Sequence, residues 1–211
     1  MKTVSPDAST PGLGGVEKYS TLLRSRLILA SASPRRAELL RQVGIEPECR
    51  PAHIDETPQK GEHPADYCRR LAKEKAAAIV SRFVIDDRAV LGSDTIVVLD
   101  GEILGQPRDA DDARAMLGRL SGRTHQVMTA VALWHKDRWR QAMSVSDVTF
   151  RSLRDEEIRA YVATGEPLDK AGAYAIQGRA AAFVPYMAGS YSGVMGLPLF
   201  ETLELLRDAG V

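Results

Sequence analysis

The sequence predicts an α/β fold in which helices flank a mixed, twisted sheet and two lobes surround a central cleft. Two observations indicate this class. The first half of the chain alternates short apolar runs of strand type with amphipathic helical runs, whereas residues 126–150 hold two long strand-like runs around a short turn. The first pattern is typical of βα units, and the second is typical of an antiparallel hairpin. We expect a binding site in the cleft between the lobes.

The first predicted unit is a short buried strand, residues 27–30, followed by a helix. Ser33 is a suitable N-cap, and Pro34 suits the first helical position. The helix should end at Gly44, after an apolar stripe formed by Leu39, Leu40 and Val43.

Two arginines, Arg35 and Arg36, fall in the first turn of this helix. The helix dipole disfavours each cation there by about 0.3–1 kcal/mol, and a bound anion would reverse that sign. Free backbone N–H groups, the hydroxyls of Ser31 and Ser33 and two guanidinium groups together predict a phosphate-binding site. The alternative is that both arginines extend into solvent and the serines only cap the helix.

A second helix is predicted over residues 64–83, and it is followed by a strand. Lys75 lies four residues after Leu71 on the apolar face of the helix, so either it has an inward partner or its stem reaches along the surface to water. Asp94 stands where the chain enters the apolar run 96–99. It either caps a local turn or has a functional role. Asp100 and Gly101 predict a two-residue hairpin turn.

The remaining elements follow the same rules of periodicity and capping. Asp109 should cap a third helix, and strands 126–135 and 141–150 should form the long hairpin. A capping box of Ser152 and Asp155 predicts a fourth helix. A glycine-punctuated loop, residues 166–178, contains Lys170 and Gln177. The predicted final elements are a strand over residues 182–187 and a helix that uses Leu199, Leu203 and Leu206.

The composition narrows the function classes. Lys and Arg total 28, as do Asp and Glu, so the net charge is zero and a general nucleic-acid or acidic-membrane surface is not expected. No run approaches the roughly 18 apolar residues of a membrane span. The 2 cysteines show no metal spacing. We expect a cytoplasmic protein with a flexible extension, residues 1–22, and a single catalytic domain over residues 23–211.

Taken together, the candidate residues predict phosphoryl chemistry. A cationic helix N-terminus is accompanied by two lysines, Lys75 and Lys170, and by two carboxylates, Glu56 and Asp94, that are able to hold Mg²⁺. Either carboxylate could instead orient an attacking water as a general base.

Several segments, in chain order from about residue 27 to the end, resemble the Maf family of nucleoside triphosphate pyrophosphatases. They are LASASPRRAELLRQVGI, RLAKEKAAAI, GSDTIVVLDGEILGQPRD, MLGRLSGRTHQVMTAVAL, EPLDKAGAYAIQG and GSYSGVMGLPLFETLELL. The resemblance implies a Maf/inosine-triphosphatase-like fold and a homodimer. It also implies hydrolysis of a nucleoside triphosphate to monophosphate and pyrophosphate, with Mg²⁺ as cation and Mn²⁺ or Co²⁺ as alternatives.

The resemblance also implies roles for individual residues. The catalytic aspartate falls on Asp94 and its acidic partner on Glu56. The helix lysine falls on Lys75, and the phosphate-binding residues on Ser33, Arg35 and Arg36. Arg35, Thr95 and Gln177 resemble the branch that acts on dTTP and UTP.

One position departs from the family pattern. The chain has Gln106 where the family usually has lysine, so a full positive charge is replaced by neutral hydrogen-bond donors of roughly half the strength. We therefore expect an enzyme of reduced activity. The alternative is a nucleotide-binding regulator of cell division in which catalysis is weak or lost.

Overall fold

Seven strands form one mixed sheet in the computed structural model of this chain, which describes residues 26–211. The sheet order is β2-β1-β3-β5-β6-β7. The seventh strand, β4, is outside this order and pairs with β3. The strands are β1 (Leu27–Leu29), β2 (Glu48–Cys49), β3 (Ala89–Leu99), β4 (Glu102–Leu104), β5 (Thr124–His135), β6 (Arg138–Thr149) and β7 (Tyr186–Ala188). The predicted α/β class with a mixed sheet is confirmed. The predicted extension, residues 1–22, lies outside the described residues.

Strand direction follows from the connections. β1 runs parallel to β2 and to β3, because α1 and α2 cross over between these strands, whereas β5 is antiparallel to both β3 and β6. The helices are α1 (Pro34–Gln42), α2 (Pro64–Arg82), α3 (Ala110–Leu120), α4 (Asp155–Val162), α5 (Tyr191–Val194) and α6 (Leu199–Ala209). None of the helices within residues 26–211 is long and apolar enough to cross a membrane.

The helices cover both faces of the sheet because strand side chains alternate in direction. On one face, α2 packs over Val90, Ile96 and Val98 of β3 through its buried positions, which include Leu71 and Ala72. On the other face, the apolar stripes of α1 and α6 cover Leu27, Leu29, Leu91, Val131 and Leu133. A third cluster joins α3, α4 and the segment 173–183 to the far end of β3.

Three local predictions need correction. Ser33 precedes α1, but its hydroxyl caps no N–H. Ser152 does not cap α4, which begins at Asp155; the backbone N–H of Arg154 donates to the Glu157 carboxylate at 3.0 Å instead. The predicted strand 182–187 is replaced by a 3₁₀ turn, Arg179–Phe183, and by β7. The structure also contains one short strand for which no prediction was made: β2 pairs with β1.

Candidate active site

A cleft of about 920 Å³ lies above the middle of β3. One side is formed by the start of α1 and the segment 51–56, and the other by residues 103–106 and 169–177, while one continuous sheet runs beneath both. All of the predicted site residues line this cleft: Ser33, Arg35, Arg36, Glu56, Lys75, Asp94, Thr95, Lys170 and Gln177. Gln106 lines it as well. The structure therefore brings together residues that lie far apart in the sequence.

Lys75 connects the two candidate carboxylates. Its Nζ lies 2.6 Å from Oδ1 of Asp94 and 2.9 Å from Oε1 of Glu56. The alternative that Lys75 reaches water along its stem is wrong, because its side chain is only 11% exposed. A buried ammonium needs such partners, since desolvating an unpaired charge is costly.

Asp94 lies in the interior of β3 and does not cap a turn, so the capping alternative is also wrong. Its side chain is 7% exposed, whereas that of Glu56 is 52% exposed. Burial raises the pKa of the Asp94 carboxyl, and the charges of Lys75 and Arg36 act against that rise. The two carboxylates thus differ in environment although they share one cation.

Neighbouring groups hold these residues in place. The hydroxyl of Tyr67 on α2 donates to the backbone carbonyl of Glu56 at 2.8 Å. The thiol of Cys68 donates to the backbone carbonyl of Asp94 at 3.3 Å. Burial raises the pKa of Cys68 to about 12, so this thiol stays neutral and is excluded as a nucleophile. The sequence does not mark Tyr67 as a site residue, because its ring fits the apolar face of the helix.

Arg36 is bound mainly by the protein itself. Its Nε donates to the carbonyl of Gly196 at 2.8 Å and its Nη1 to the carbonyl of Ser93 at 2.8 Å. Further donors contact the hydroxyls of Ser31 at 3.3 Å and Thr95 at 3.2 Å. Burial lowers the pKa of this guanidinium, with Asp94 opposing. These contacts fix Arg36 in the cleft wall, and its binding of the ligand stays a prediction.

The Arg35 side chain, by contrast, has no hydrogen-bond partner within residues 26–211, and it is half-buried in the cleft wall. The Ser33 hydroxyl is likewise not used as a cap, and the Ser33 N–H donates to Ser31 Oγ at 3.1 Å. The two arginines of the first turn therefore differ: one is engaged by the scaffold and one is available to a ligand.

Thr95 belongs to the same internal network as Arg36. The Thr129 hydroxyl has two acceptors for its single proton, the Gly193 carbonyl at 2.7 Å and the Thr95 hydroxyl oxygen at 3.0 Å. Arg36 occupies one lone pair of the Thr95 hydroxyl. The Thr95 hydroxyl is therefore held by protein groups on two sides.

The opposite wall carries Lys170 and Gln177. The Lys170 ammonium is paired with Asp169 and lies 3.5 Å from the carbonyl of Glu166. The hydrogen bond from Lys170 lowers the pKa of the Asp169 carboxyl. Gln177 and Gln106 are exposed, and neither side chain has a hydrogen-bond partner in the described part of the chain. A cationic and amide-bearing wall thus faces the Asp94–Lys75–Glu56 group, an arrangement suited to a polyanion that carries a polar ring.

Comparison with known proteins agrees with this geometry. A protein of Aromatoleum aromaticum named dTTP/UTP pyrophosphatase is 53% identical over 200 residues, covering 89% of this chain and 97% of the relative. Proteins of the same name from Methylococcus capsulatus and Escherichia coli O157:H7 are each 56% identical, covering 88% and 86% of this chain and 92% of each relative. The model of the family described as Maf-like protein matches residues 26–209. With a match of that extent, this chain belongs to the Maf family.

Proposed function

We propose that this chain hydrolyses nucleoside triphosphates, with dTTP and UTP as substrates, to the monophosphate and pyrophosphate. The observation that carries the proposal is the Asp94–Lys75–Glu56 group, which shares one cleft with the first turn of α1. The name of the relatives, dTTP/UTP pyrophosphatase, supports the same reaction and the same two bases. The cleft volume of about 920 Å³ suits a ligand of this size.

The triphosphate binds at the start of α1 in this proposal. The backbone N–H groups of Arg35 and Arg36 have no acceptor within residues 26–211, as expected for a helix N-terminus. The Arg35 guanidinium and the Ser33 hydroxyl add donors, and Lys170 adds a cation from the opposite wall. Charged donors of this kind bind phosphate oxygens more strongly than neutral ones do. Arg36 contributes by fixing the position of the turn.

Asp94 is the proposed base. Hydrolysis requires a water oxygen to bond to phosphorus while the P–O bond to pyrophosphate breaks, and one proton of the water passes to a carboxylate. Lys75 engages Oδ1 of Asp94, and Oδ2 has no hydrogen-bond partner among the described residues. Burial raises the pKa of Asp94, which strengthens it as a base. Glu56 is the alternative base, because it belongs to the same ion-paired group.

A divalent cation fits the donor set of Asp94 and Glu56. Mg²⁺ binds through one or two carboxylates together with substrate oxygens and water. Each carboxylate contacts Lys75 through one oxygen and retains further lone pairs. No cluster of three or more His, Cys, Asp or Glu able to hold a metal occurs in the part of the chain that the structure describes. A cation shared with the substrate is consistent with this. Bound there, it supplies Lewis-acid polarisation of phosphoryl oxygens; Mn²⁺ and Co²⁺ are the alternatives to Mg²⁺.

Gln177 is the residue proposed to bind the pyrimidine edge, and Arg35 and Thr95 line the same cleft. A free amide offers both a donor and an acceptor, which is what the edge of uracil or thymine requires. Sites that hydrogen-bond a substrate group discriminate strongly against analogues that lack it. The homodimer and the cytoplasmic location stay predictions from the sequence.

Pyrophosphate release tests the proposal. We expect release from dTTP and UTP in preference to CTP and GTP in the presence of Mg²⁺. Asp94→Asn should reduce the rate of pyrophosphate release by about 10²–10⁴-fold. Glu56→Gln should reduce this rate less, since Glu56 is the alternative base. Asp100→Asn is the matched control, because this exposed aspartate at the β3–β4 turn lies outside the cleft.

The second candidate function, nucleotide binding without turnover, is favoured by Gln106 in place of the family's lysine. If wild type and Asp94→Asn bind dTTP equally and neither releases pyrophosphate, the chain is a nucleotide-binding protein and the proposed hydrolysis is wrong.

A further inference from the structure

The loop that carries Gln177 is held by a buried tyrosine on α4. The hydroxyl of Tyr161 accepts the backbone N–H of Ala175 at 3.2 Å and donates its proton to Oε1 of Glu166 at 2.9 Å. Tyr161 is only 4% exposed, and burial raises the pKa of its hydroxyl, so the phenol retains the proton that it donates. The Tyr161 side chain, on α4, thus connects Glu166 at the start of the loop with Ala175 near its end.

Glu166 also binds the backbone at the end of the loop, just after Gln177. Its two carboxylate oxygens accept the backbone N–H of Arg179 at 3.0 and 3.2 Å. A Cβ atom on Gly178 would lie 2.1 Å from Oε1 of Glu166, so the carboxylate approaches the chain as closely as only glycine permits at that position. The contact therefore depends on Gly178.

These contacts fall symmetrically around Gln177. Ala175 lies two residues before it and Arg179 two residues after it, and both N–H groups are bound by the Tyr161–Glu166 pair. The Gln177 side chain itself has no hydrogen-bond partner among residues 26–211 and lines the cleft. Because no group binds the Gln177 side chain, its direction is set by the backbone on both sides of it.

From this arrangement we infer that Tyr161 and Glu166 are positioning residues for base selectivity, acting as a phenol–carboxylate clamp that aims Gln177 at the pyrimidine. The inference rests on the proposed function. Neither residue lines the cleft, so neither contacts the substrate. A clamp that acts only through Gln177 changes the discrimination between bases and leaves the chemical step intact, whereas a merely structural role lowers activity on all nucleotides equally.

The test compares kcat/KM for UTP with kcat/KM for CTP, which differ only at the base edge. Tyr161→Phe removes the hydroxyl and keeps the ring, and Glu166→Gln weakens the acceptor of the Arg179 N–H. We expect either variant to lower the UTP/CTP ratio by about three- to tenfold, the value of one positioning hydrogen bond. Tyr186→Phe is the matched control, because that hydroxyl lies on a 64% exposed side chain of the edge strand β7. Its ratio should equal that of wild type.

A double-mutant cycle with Gln177→Ala completes the design. If the clamp acts through Gln177, Tyr161→Phe has no further effect on the ratio in the Gln177→Ala background. An unchanged ratio in both clamp variants, or an equal fall with and without Gln177, would overturn the clamp while leaving the proposed hydrolysis standing. A wild-type chain that releases no pyrophosphate from any nucleotide would overturn the proposed function and the clamp with it.

Discussion

Lys75 reaches Asp94 because α2 lies directly on β3 at Gly92. A Cβ atom on Gly92 would lie 2.1 Å from the backbone oxygen of Ala72 and 2.9 Å from the backbone nitrogen of Ala76. The helix backbone therefore touches the strand one turn from Lys75 and two residues before Asp94. The 2.6 Å contact between Nζ and Oδ1 depends on this close approach.

Gly92→Ala should therefore separate the two residues as well as destabilise the fold. Both groups that meet the added methyl are backbone atoms, which cannot move aside as a flexible side chain can, so we expect a loss of at least about 3 kcal/mol in the free energy of unfolding. Gly118→Ala on α3 is the matched control. Nothing lies within 4 Å of its Cβ, and we expect a gain of about 0.5–1 kcal/mol. Urea unfolding measures the stability of both variants. A Gly92→Ala protein as stable as wild type would contradict the close packing of α2 on β3.

The two arginines of α1 should respond differently to truncation. Arg36→Ala removes donors to the carbonyls of Ser93 and Gly196, so we expect a loss of about 2–4 kcal/mol in stability together with lost activity. Arg35→Ala breaks no hydrogen bond within residues 26–211. It should raise KM for dTTP while stability stays within about 0.5 kcal/mol of wild type. Thermal unfolding and steady-state kinetics on both variants decide the matter; an Arg36→Ala protein of normal stability would assign that guanidinium to the ligand instead.

Much of this difference between neighbouring residues could not be predicted from the sequence. The position of both arginines in the first turn of α1 follows from local signals, and so do Lys75 on the inner face of α2 and the long β5–β6 hairpin. The partners of Arg36 are backbone carbonyls far along the chain, as at Gly196, and a carbonyl carries no signature in residue letters.

Local signals also failed where a tertiary contact replaced them. Ser152 and Asp155 have the spacing of a capping box, but the Glu157 carboxylate receives the N–H at the start of α4. Residues 182–187 are apolar enough for a strand, yet the backbone turns into a 3₁₀ helix so that Ala180 and Phe183 enter the core. The clamp around Gln177 was missed because Tyr161 fits the apolar stripe of its helix.

Gln106→Lys should raise activity. Gln106 is exposed in the cleft wall, and an ammonium there would add a charge-assisted contact to the triphosphate, roughly twice as strong as the neutral bond. We expect kcat/KM for dTTP to rise by about three- to tenfold, measured by pyrophosphate release. Gln59→Lys controls for the general effect of an added charge, since Gln59 is exposed and lies outside the cleft. An unchanged kcat/KM in Gln106→Lys would mean that this position costs the enzyme nothing.

His125 should make the fold sensitive to mild acid. The ring is 2% exposed; its Nε2 lies 2.8 Å from the Tyr174 hydroxyl, and its Nδ1 has no partner among the described residues. Burial lowers the pKa of His125 to about 4, below the 6.5 of a free histidine. Between these values the unfolded chain binds more protons than the native one. Stability therefore falls as the pH drops from about 7 to 4, by about 3 kcal/mol from this group.

The variant His125→Gln stays neutral and should lose this part of the pH dependence. Urea unfolding at several pH values gives the difference in unfolding free energy between wild type and His125→Gln. On acidification from about pH 7 to 4, this difference should change by about 3 kcal/mol in favour of the variant. His63→Gln is the matched control, because this exposed side chain makes no cap bond at the start of α2. Identical pH profiles for wild type and His125→Gln would show that the imidazole gains a proton inside the folded core without cost. That result is incompatible with an orphaned Nδ1, because a protonated ring has two N–H donors and the packing offers a partner for only one.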